Sequence, residues 1–358
     1  MFNKSLFFGA LALALTGCSS NTSTYSGQPY DKPRTLNNFN DYVSYLEQRA
    51  VSEGVSQKTI QQKGQDIRYI AKAVELDNSQ AERAQRNRNT PAAPNPNGAT
   101  NYLNRVLTEQ KVNIAEKRYW EQLPALNQAS KKYGVPNHYI MALWGMESSF
   151  GYYQGNYDVL SVLATLAFDG RRETLFSQEY INALKILQQN VIPRDRMKGS
   201  WAGAMGQSQF MPTSFLNYAV DADGDGSKDI WKNQFDVFAS IANYLATVGW
   251  DKNLPWGVEV VLDEPMSLEM SGIEQNKKRS LSTWQAMGVR LKNYSDTDLK
   301  RRQQLSKADL WLVRPNREVG RAFLVTNNYR TLLNWNNSNY FALSIGMFAD
   351  RIEQRVNQ

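Results

Sequence analysis

The chain has 358 residues, of which 42% are hydrophobic and 21% are charged, a composition typical of a globular protein with enough apolar material for a core. Its formal charge is +7, and the Lys and Arg residues are spread along the chain instead of forming a block. This pattern does not indicate a nucleic-acid-binding arm, so no nucleic acid is expected as a partner, and a mildly basic surface suits an anionic polymer.

The first residues have the pattern of a lipoprotein signal peptide. Lys4 precedes the apolar run LFFGALALAL, which is too short to span a membrane but long enough for the core of a signal peptide. The run ends in LTGC, residues 15–18, which resembles a bacterial lipobox. We therefore predict that residues 1–17 are cleaved and that Cys18, the only cysteine, is acylated. The alternative is an ordinary secretory signal.

The residue after the cysteine bears on location. In the bacterial sorting systems that this pattern resembles, an aspartate there retains the lipoprotein at the inner membrane. The chain has Ser19, so we predict a lipid-anchored protein on the periplasmic side of the outer membrane of a Gram-negative bacterium.

Residues 18–35 are rich in Ser, Thr and Gly and short of aliphatics, which predicts a flexible tether. Residues 36–118 carry apolar side chains at helical spacing and are predicted as an N-terminal helical region. Within that region, residues 78–100 are polar and then proline-rich, so an exposed loop is predicted there.

Helical spacing dominates residues 119–255, where the stretch WGMESSFG places one carboxylate in an apolar segment. Tyr139, Leu143 and Glu147 are four residues apart, so Glu147 extends the apolar face of a helix that ends before Gly151. Burial and the negative end of the helix dipole both favour the protonated carboxyl, the form that a general acid needs. The alternative is a solvated glutamate, or one paired with an arginine of residues 171–172.

The stretch KGSWAGAMGQSQFMPTSF, residues 198–215, mixes small residues with large apolar ones. Small residues permit close backbone approach, so such a loop can present backbone N–H groups and polar side chains to a ligand. The side chains in question belong to Ser200, Gln207, Ser208 and Gln209. Close packing at a helix crossing is the alternative.

The stretch DADGDGSKDIW predicts a site for a hard cation such as calcium. Oxygen ligands are spaced as in the first half of an EF-hand loop, at Asp221, Asp223, Asp225 and the backbone carbonyl of Ser227, with Gly226 at the turn. An EF-hand would close with a glutamate where this chain has Lys232, and Asp229 is a competing ligand. A solvated turn is the alternative.

Beyond these motifs, residues 256–325 are predicted as a small β-containing domain. GVEVVL, DLWLVRP and RAFLVTNNY are typical of short strands, and STWQAMG of a short helix. Residues 326–358 end in YFALSIGMFADRIEQRV, a predicted helix that returns to the core. The expected fold class is mainly α, of the α+β type.

Taken in order, GVPNHYIMALWGMESSFG, GSWAGAMGQSQFMPTSF and DADGDGSKDIW resemble the lytic transglycosylase B family, strongly over residues 102–250 and more weakly near the C-terminus. The resemblance implies a lysozyme-like catalytic core over residues 119–255. It also implies that Glu147 acts as acid and then as base in cleaving the β-1,4 bond between N-acetylmuramic acid and N-acetylglucosamine. The muramic acid's own C6 hydroxyl replaces a second carboxylate and leaves a 1,6-anhydro end.

The resemblance also implies site residues. The positions that match sugar contacts of the family are Ser200, Gln209, Tyr244, Tyr102, Trp335 and Asn336. The family usually has tyrosines where this chain has Trp335 and Phe341, so stacking is retained but a phenolic hydrogen bond is not. The family closes its metal loop with a later aspartate, which matches Asp236 and gives a loop over residues 221–236. The cation would be structural, with calcium expected and sodium as the alternative ion.

Two other functions use the same features. A hydrolytic muramidase of the goose-type lysozyme kind would use Glu147 but add water. A non-catalytic, calcium-dependent lipoprotein would bind the cell wall without cleaving it. The expected partners are peptidoglycan glycan strands, the membrane through Cys18, and proteins of cell-wall synthesis.

Overall fold

The structure is a computed structural model, and it describes residues 38–89, 95–292 and 299–357. The predicted signal peptide, Cys18 and the predicted tether lie outside the described residues. Across those three described stretches, no helix combines the length and the apolar character needed to cross a membrane.

The described residues are mainly helical, with two small sheets, so the predicted fold class is confirmed. The α-helices are α1 (Phe39–Ser52), α2 (Gln57–Lys63), α3 (Ala71–Asn89), α4 (Gly98–Val106), α5 (Glu109–Glu121), α6 (Leu123–Tyr133), α7 (Asn137–Ser148), α8 (Val159–Asp169), α9 (Glu173–Gln188), α10 (Pro212–Tyr218), α11 (Gln234–Thr247), α12 (Leu281–Ala286), α13 (Leu299–Ser306), α14 (Asn327–Trp335) and α15 (Asn339–Val356). The strands are β1 (Tyr157–Asp158), β2 (Lys198–Gly199), β3 (Gly257–Leu262), β4 (Val289–Leu291), β5 (Trp311–Val313) and β6 (Ala322–Val325).

The chain divides into two compact units. In the described residues, the larger unit contains 38–89, 109–247 and 348–357, and the smaller unit contains 95–108, 248–292 and 299–347. The predicted N-terminal helical region is therefore shared between the units, with α1 to α3 in the larger and α4 in the smaller.

The core of the larger unit is built around α8, which is buried from Val159 to Ala167. A helix that is apolar on every side is stable only when other elements surround it, and α8 packs against α1, α3 and α9. Asp158 caps it by accepting a hydrogen bond from the Ser161 N–H at 2.9 Å.

Helix α7 is buried in the same way and contains Gly145 in its interior. A Cβ at this position would lie 2.7 Å from Phe150 Cε1 and 2.9 Å from Phe348 Cε1. Glycine costs a helix interior about 1 kcal/mol relative to alanine, so its presence needs a reason. Here the reason is the close approach of two aromatic rings to the helix backbone.

The prediction of a loop over residues 78–100 is wrong at both ends. Helix α3 continues to Asn89, and helix α4 begins at Gly98. Residues 78–89 include Arg, Ala, Gln and Glu, which favour a helix once one end is fixed. Asp77 fixes that end: it is 1% exposed and forms ion pairs with Arg171 and Arg172.

The smaller unit contains a four-stranded antiparallel sheet in the order β4-β3-β6-β5. The predicted strands correspond to β3, β5 and β6, and the predicted short helix is α12. Strand β4, which has three residues, has no counterpart among the predicted strands. The sheet packs on a core that includes Val258, Trp284, Leu312 and Leu324.

Candidate active site

Glu147 is the last residue but one of α7, and it is buried, with 3% of its surface exposed. The chain then turns away sharply, because Ser149, Phe150 and Gly151 all adopt positive φ angles of 49°, 61° and 84°. The turn is closed by the Phe150 N–H, which donates to the Trp144 carbonyl at 3.3 Å. A left-handed turn thus ends the helix directly after the carboxylate.

Lys111, in α5, supplies a positive charge to this region. Its ammonium group donates to Met146 Sδ at 3.3 Å and lies 5.7 Å from the centroid of the Phe348 ring. Burial lowers the pKa of Lys111 from its ordinary value of 10.5 to about 8, while the charge of Glu147 acts in the opposite direction. The two side chains therefore form an electrostatic pair in a largely apolar setting.

Ser200 and Gln209 both lie in the small-residue loop, which belongs to the larger unit. Ser200 Oγ accepts the N–H groups of Ala202 and Ala204 at 3.3 and 3.1 Å, which leaves its own O–H able to donate. Gln209 has a φ of 51°, and its Nε2 donates to the carbonyls of Gly206 and Gln154 at 2.8 and 3.2 Å. Within the described residues, its Oε1 accepts no hydrogen bond.

The sequence predicts that the side chains of Gln207 and Ser208 face a ligand, but both are buried. Gln207 is 4% exposed, and its Oε1 accepts from Trp144 Nε1 at 2.7 Å and Gln234 Nε2 at 2.9 Å. Its Nε2 donates to the Trp231 carbonyl at 2.8 Å and to Gln234 Oε1 at 3.1 Å. Ser208 is completely buried. Gln207 is thus a structural crosslink that the sequence analysis missed.

Tyr244, in α11, belongs to an aromatic group in the same unit. Its ring meets Tyr218 edge-on at 4.5 Å between centroids and lies 6.0 Å from Phe210. Burial raises the pKa of the Tyr244 phenol, so it stays protonated and able to donate a hydrogen bond.

The other predicted sugar contacts, Tyr102, Trp335 and Asn336, lie in the smaller unit. The Tyr102 ring packs edge-on against Tyr340 with centroids 5.2 Å apart. Trp335 is the last residue of α14, and Asn336 follows it with 8% exposure. Asn336 Oδ1 is buried and accepts no hydrogen bond from any described residue.

The aspartate loop brings three carboxylates together. Oxygens of Asp221, Asp223 and Asp236 all lie within 4.8 Å of one another. Asp236 is fully buried and accepts the N–H groups of Ala222 and Asp229 at 2.8 and 2.7 Å. Burial raises the pKa of Asp236 to about 6, with a further rise from the two neighbouring carboxylates. Closely spaced carboxylates of this kind suit a hard cation.

The remaining predicted ligands have other contacts. Asp225 is not a member of the three-carboxylate group, and it accepts the Ser227 N–H at 2.7 Å. The Ser227 hydroxyl donates to the Val191 carbonyl at 2.9 Å, a contact that does not involve the backbone carbonyl predicted as a ligand. Asp229, the competing ligand, instead forms an ion pair with Arg196 at 2.8 Å. The geometry therefore favours Asp236 over Asp229 as the residue that closes the loop.

Two carboxylates that follow Glu147 in sequence have structural contacts. Asp158 binds Arg194 through both of its oxygens. Burial opposes ionisation of Asp158, but hydrogen bonds from Arg194 and Ser161 outweigh it and lower its pKa. Glu173 accepts the Tyr42 hydroxyl at 2.7 Å.

The family described as transglycosylase SLT domain matches residues 38–350. The chain belongs to this family. The resemblance seen in the motifs is therefore confirmed.

The chain is 39% identical over 160 residues to membrane-bound lytic murein transglycosylase B of Escherichia coli (strain K12), and the match spans 44% of each protein. Among solved structures, it resembles SltB3 from Pseudomonas aeruginosa in complex with NAG-anhNAM-pentapeptide, with 35% identity, a TM-score of 0.76, and coverage of 88% of this chain and 80% of that one. It also resembles the Escherichia coli lytic transglycosylase Slt35 in complex with calcium, with 25% identity, a TM-score of 0.71, and coverage of 90% and 96%.

The pairing of Lys111 with Glu147 leads to a prediction about titration. Glu147→Gln removes the negative charge that Glu147 carries when it is ionised. Because that charge favours the ammonium form, the pKa of Lys111 should fall below its value of about 8. NMR titration of ¹³C-methylated lysines measures this pKa, and Lys111→Met identifies the signal.

Glu116→Gln is the matched control, because it removes a carboxylate from the same helix, α5. The pairing would be disproved if Lys111 titrated near 10.5 in the wild type, or if the two glutamine variants shifted it equally.

Proposed function

We propose that this protein is a peptidoglycan lytic transglycosylase that cleaves the β-1,4 bond between N-acetylmuramic acid and N-acetylglucosamine and leaves 1,6-anhydromuramic acid ends. The observation that carries the proposal is Glu147, a carboxyl with 3% exposure at the end of α7. It lies in the motif that first indicated the family. Ser200 and Gln209, from the small-residue loop, and the aromatic ring of Tyr244 supply the sugar contacts in this proposal.

The chemistry needs one carboxyl group. Glu147 donates its proton to the glycosidic oxygen, and the bond from that oxygen to C1 of muramic acid breaks. The C6 hydroxyl then attacks C1 and gives its proton to the Glu147 carboxylate, which restores the acid. No water enters, so the product is lighter than the hydrolytic product by one water molecule.

Lys111 supports this cycle electrostatically. When Glu147 gives up its proton, a carboxylate forms in a buried setting where an unpaired charge is costly. The ammonium of Lys111 offsets that cost, because an opposite charge nearby favours the ionised form. In this proposal Lys111 acts through Glu147 and is a positioning residue.

Digestion of purified sacculi tests the catalytic assignment. Glu147→Gln keeps the size of the side chain but cannot donate a proton, so release of anhydro ends should fall by about 100- to 10,000-fold. Mass spectrometry of the soluble products measures this release. Glu116→Gln, which removes a half-exposed carboxylate elsewhere in the larger unit, should retain activity.

The same digest separates the alternatives. Reducing ends in place of anhydro ends would establish a hydrolytic muramidase. Binding of sacculi without release of fragments would establish the non-catalytic wall-binding protein. Full activity in Glu147→Gln would remove Glu147 from the mechanism.

We also propose that the aspartate loop holds a structural calcium ion through Asp221, Asp223 and Asp236. In support, these three carboxylates lie together, and the similar Slt35 structure is a complex with calcium. Asp236 lies in the first turn of α11, the helix that also carries Tyr244, so an ion held here would fix that helix relative to the loop. Sodium is the alternative ion.

Calcium should stabilise the folded protein. A hundredfold excess of calcium over its Kd should raise Tm by about 5–10 °C. Asp223→Asn should abolish most of the shift, whereas Asp225→Asn, outside the three-carboxylate group, should retain most of it. Equal shifts in both variants would contradict the assignment, and sodium in place of calcium serves as the ion control.

We propose that the mature protein is anchored to the outer membrane through a lipid on Cys18. The support is the lipobox-like sequence and Ser19. Palmitate labelling should be lost in Cys18→Ala. Membrane fractionation should find Ser19→Asp in the inner membrane instead of the outer membrane. Labelling of Cys18→Ala at the wild-type level would contradict the anchor.

A further inference from the structure

An open pocket of about 510 Å³ lies in the larger unit, beyond the end of α7. Its walls are the loop of residues 152–156 together with Arg196, Lys198, Trp231 and Lys232. None of these residues is among the sugar contacts that the family resemblance implies, and the mechanism proposed above does not use them.

The pocket is built into the same framework as the candidate active site. The Tyr153 N–H donates to the carbonyl of Ser148, the residue after Glu147, at 2.8 Å. The carbonyl of Gln154 accepts from Gln209 at 3.2 Å. Gly155, with a φ of 81°, approaches the backbone at Ser200 so closely that a Cβ would overlap it. A glycan held by Glu147, Ser200 and Gln209 would therefore place its substituents near this pocket.

The charged residues in the wall are all basic. Arg196 pairs with Asp229 at 2.8 Å, and Lys198 lies 3.9 Å from Asp158, which already binds Arg194. Neither Asp229 nor Asp158 is among the residues that line the pocket. The ammonium of Lys232 takes part in no ion pair within the described residues. The pocket therefore favours an anionic ligand.

Two of the most exposed aromatic side chains complete the wall. Tyr152 and Tyr153 are 78% and 57% exposed, and their rings meet edge-on with centroids 4.6 Å apart. Trp231 is held by its Nε1, which donates to the Lys198 carbonyl at 2.8 Å. Exposed aromatic groups beside charged ones are characteristic of binding surfaces.

In a peptide-bearing strand the sugar units carry hydroxyl and acetamido groups but no charge, because the lactyl carboxyl group of muramic acid is used in the amide bond to the peptide. The peptide attached to the muramic acid carries carboxylates and aliphatic segments. This combination matches a pocket that is basic and aromatic at once. We propose that the pocket receives the acidic stem peptide of the muramic acid residue, with Arg196, Lys198 and Lys232 binding its carboxylates and Tyr152 and Tyr153 covering its aliphatic parts.

This inference rests on the proposed function, and its test keeps the two separate. The substrates are glycan strands with stem peptides and the same strands freed of peptides by an amidase, with each exposed lactyl carboxylate converted to its methylamide so that it carries no charge. The measured quantity is the ratio of kcat/KM for the two substrates. In the double variant Lys198→Gln, Lys232→Gln, the preference for peptide-bearing strands should fall by about five- to tenfold, because charge-assisted hydrogen bonds are lost.

Two further double variants serve as controls. Lys198→Arg, Lys232→Arg keeps the charges and should retain the preference. Lys58→Gln, Lys131→Gln removes the same net charge from exposed positions outside the pocket and should also retain it. The wild-type preference should weaken as the salt concentration rises.

A ratio that stays at the wild-type value in Lys198→Gln, Lys232→Gln would overturn the inference, because the pocket would then either bind the sugars themselves or take no part. If wild type released no anhydro ends from either substrate, the proposed function would fail instead. The pocket's role could then still be decided without turnover, by calorimetry on Glu147→Gln with and without the two lysine substitutions. The two ligands would be a muramyl peptide and its peptide-free disaccharide.

Discussion

The buried amide of Gln207 is the contact on which the rest of the candidate site depends. Both lone pairs of its oxygen and both of its N–H groups are used, by Trp144, Trp231 and Gln234. A fully satisfied polar group in an apolar interior fixes its partners strongly, because any loss leaves a buried donor or acceptor unpaired. These partners lie in α7 and α11 and in the segment between the loop and α11. One side chain thus sets the positions of the helices that carry Glu147, Asp236 and Tyr244.

This contact explains why sequence reasoning described the site only in part. The burial of Glu147 followed from the spacing of apolar residues along one helix, and the three predicted strands followed from short local runs rich in apolar and β-branched residues. Gln207 was grouped with Gln209 because both belong to one polar and glycine-rich loop. Which amide turns inward depends on Trp144 and Gln234, and these are distant in sequence. Long-range packing of this kind leaves no local pattern.

The same reasoning applies to Lys111 and to residues 78–89. Lys111 lies in α5 and Glu147 in α7, with α6 between them in the chain. Only the packing of α5 on α7 brings their charges together. Residues 78–89 are polar all round, and polar segments are usually loops. A buried ion pair at Asp77, made with arginines of a distant segment, decides in favour of the helix. Family resemblance supplied the order of the motifs but not these pairings.

Gly145 has a consequence for attempts to engineer this protein. Replacing a glycine inside a helix with alanine is a common way to stabilise a protein, because alanine reduces the conformational entropy lost on folding. At this position the added methyl group would meet Phe150 and Phe348 below 3 Å, so two rings would have to move. Phe150 lies in the turn that follows Glu147. A substitution chosen to raise thermal stability would therefore strain the core and displace the turn that ends α7 directly after Glu147.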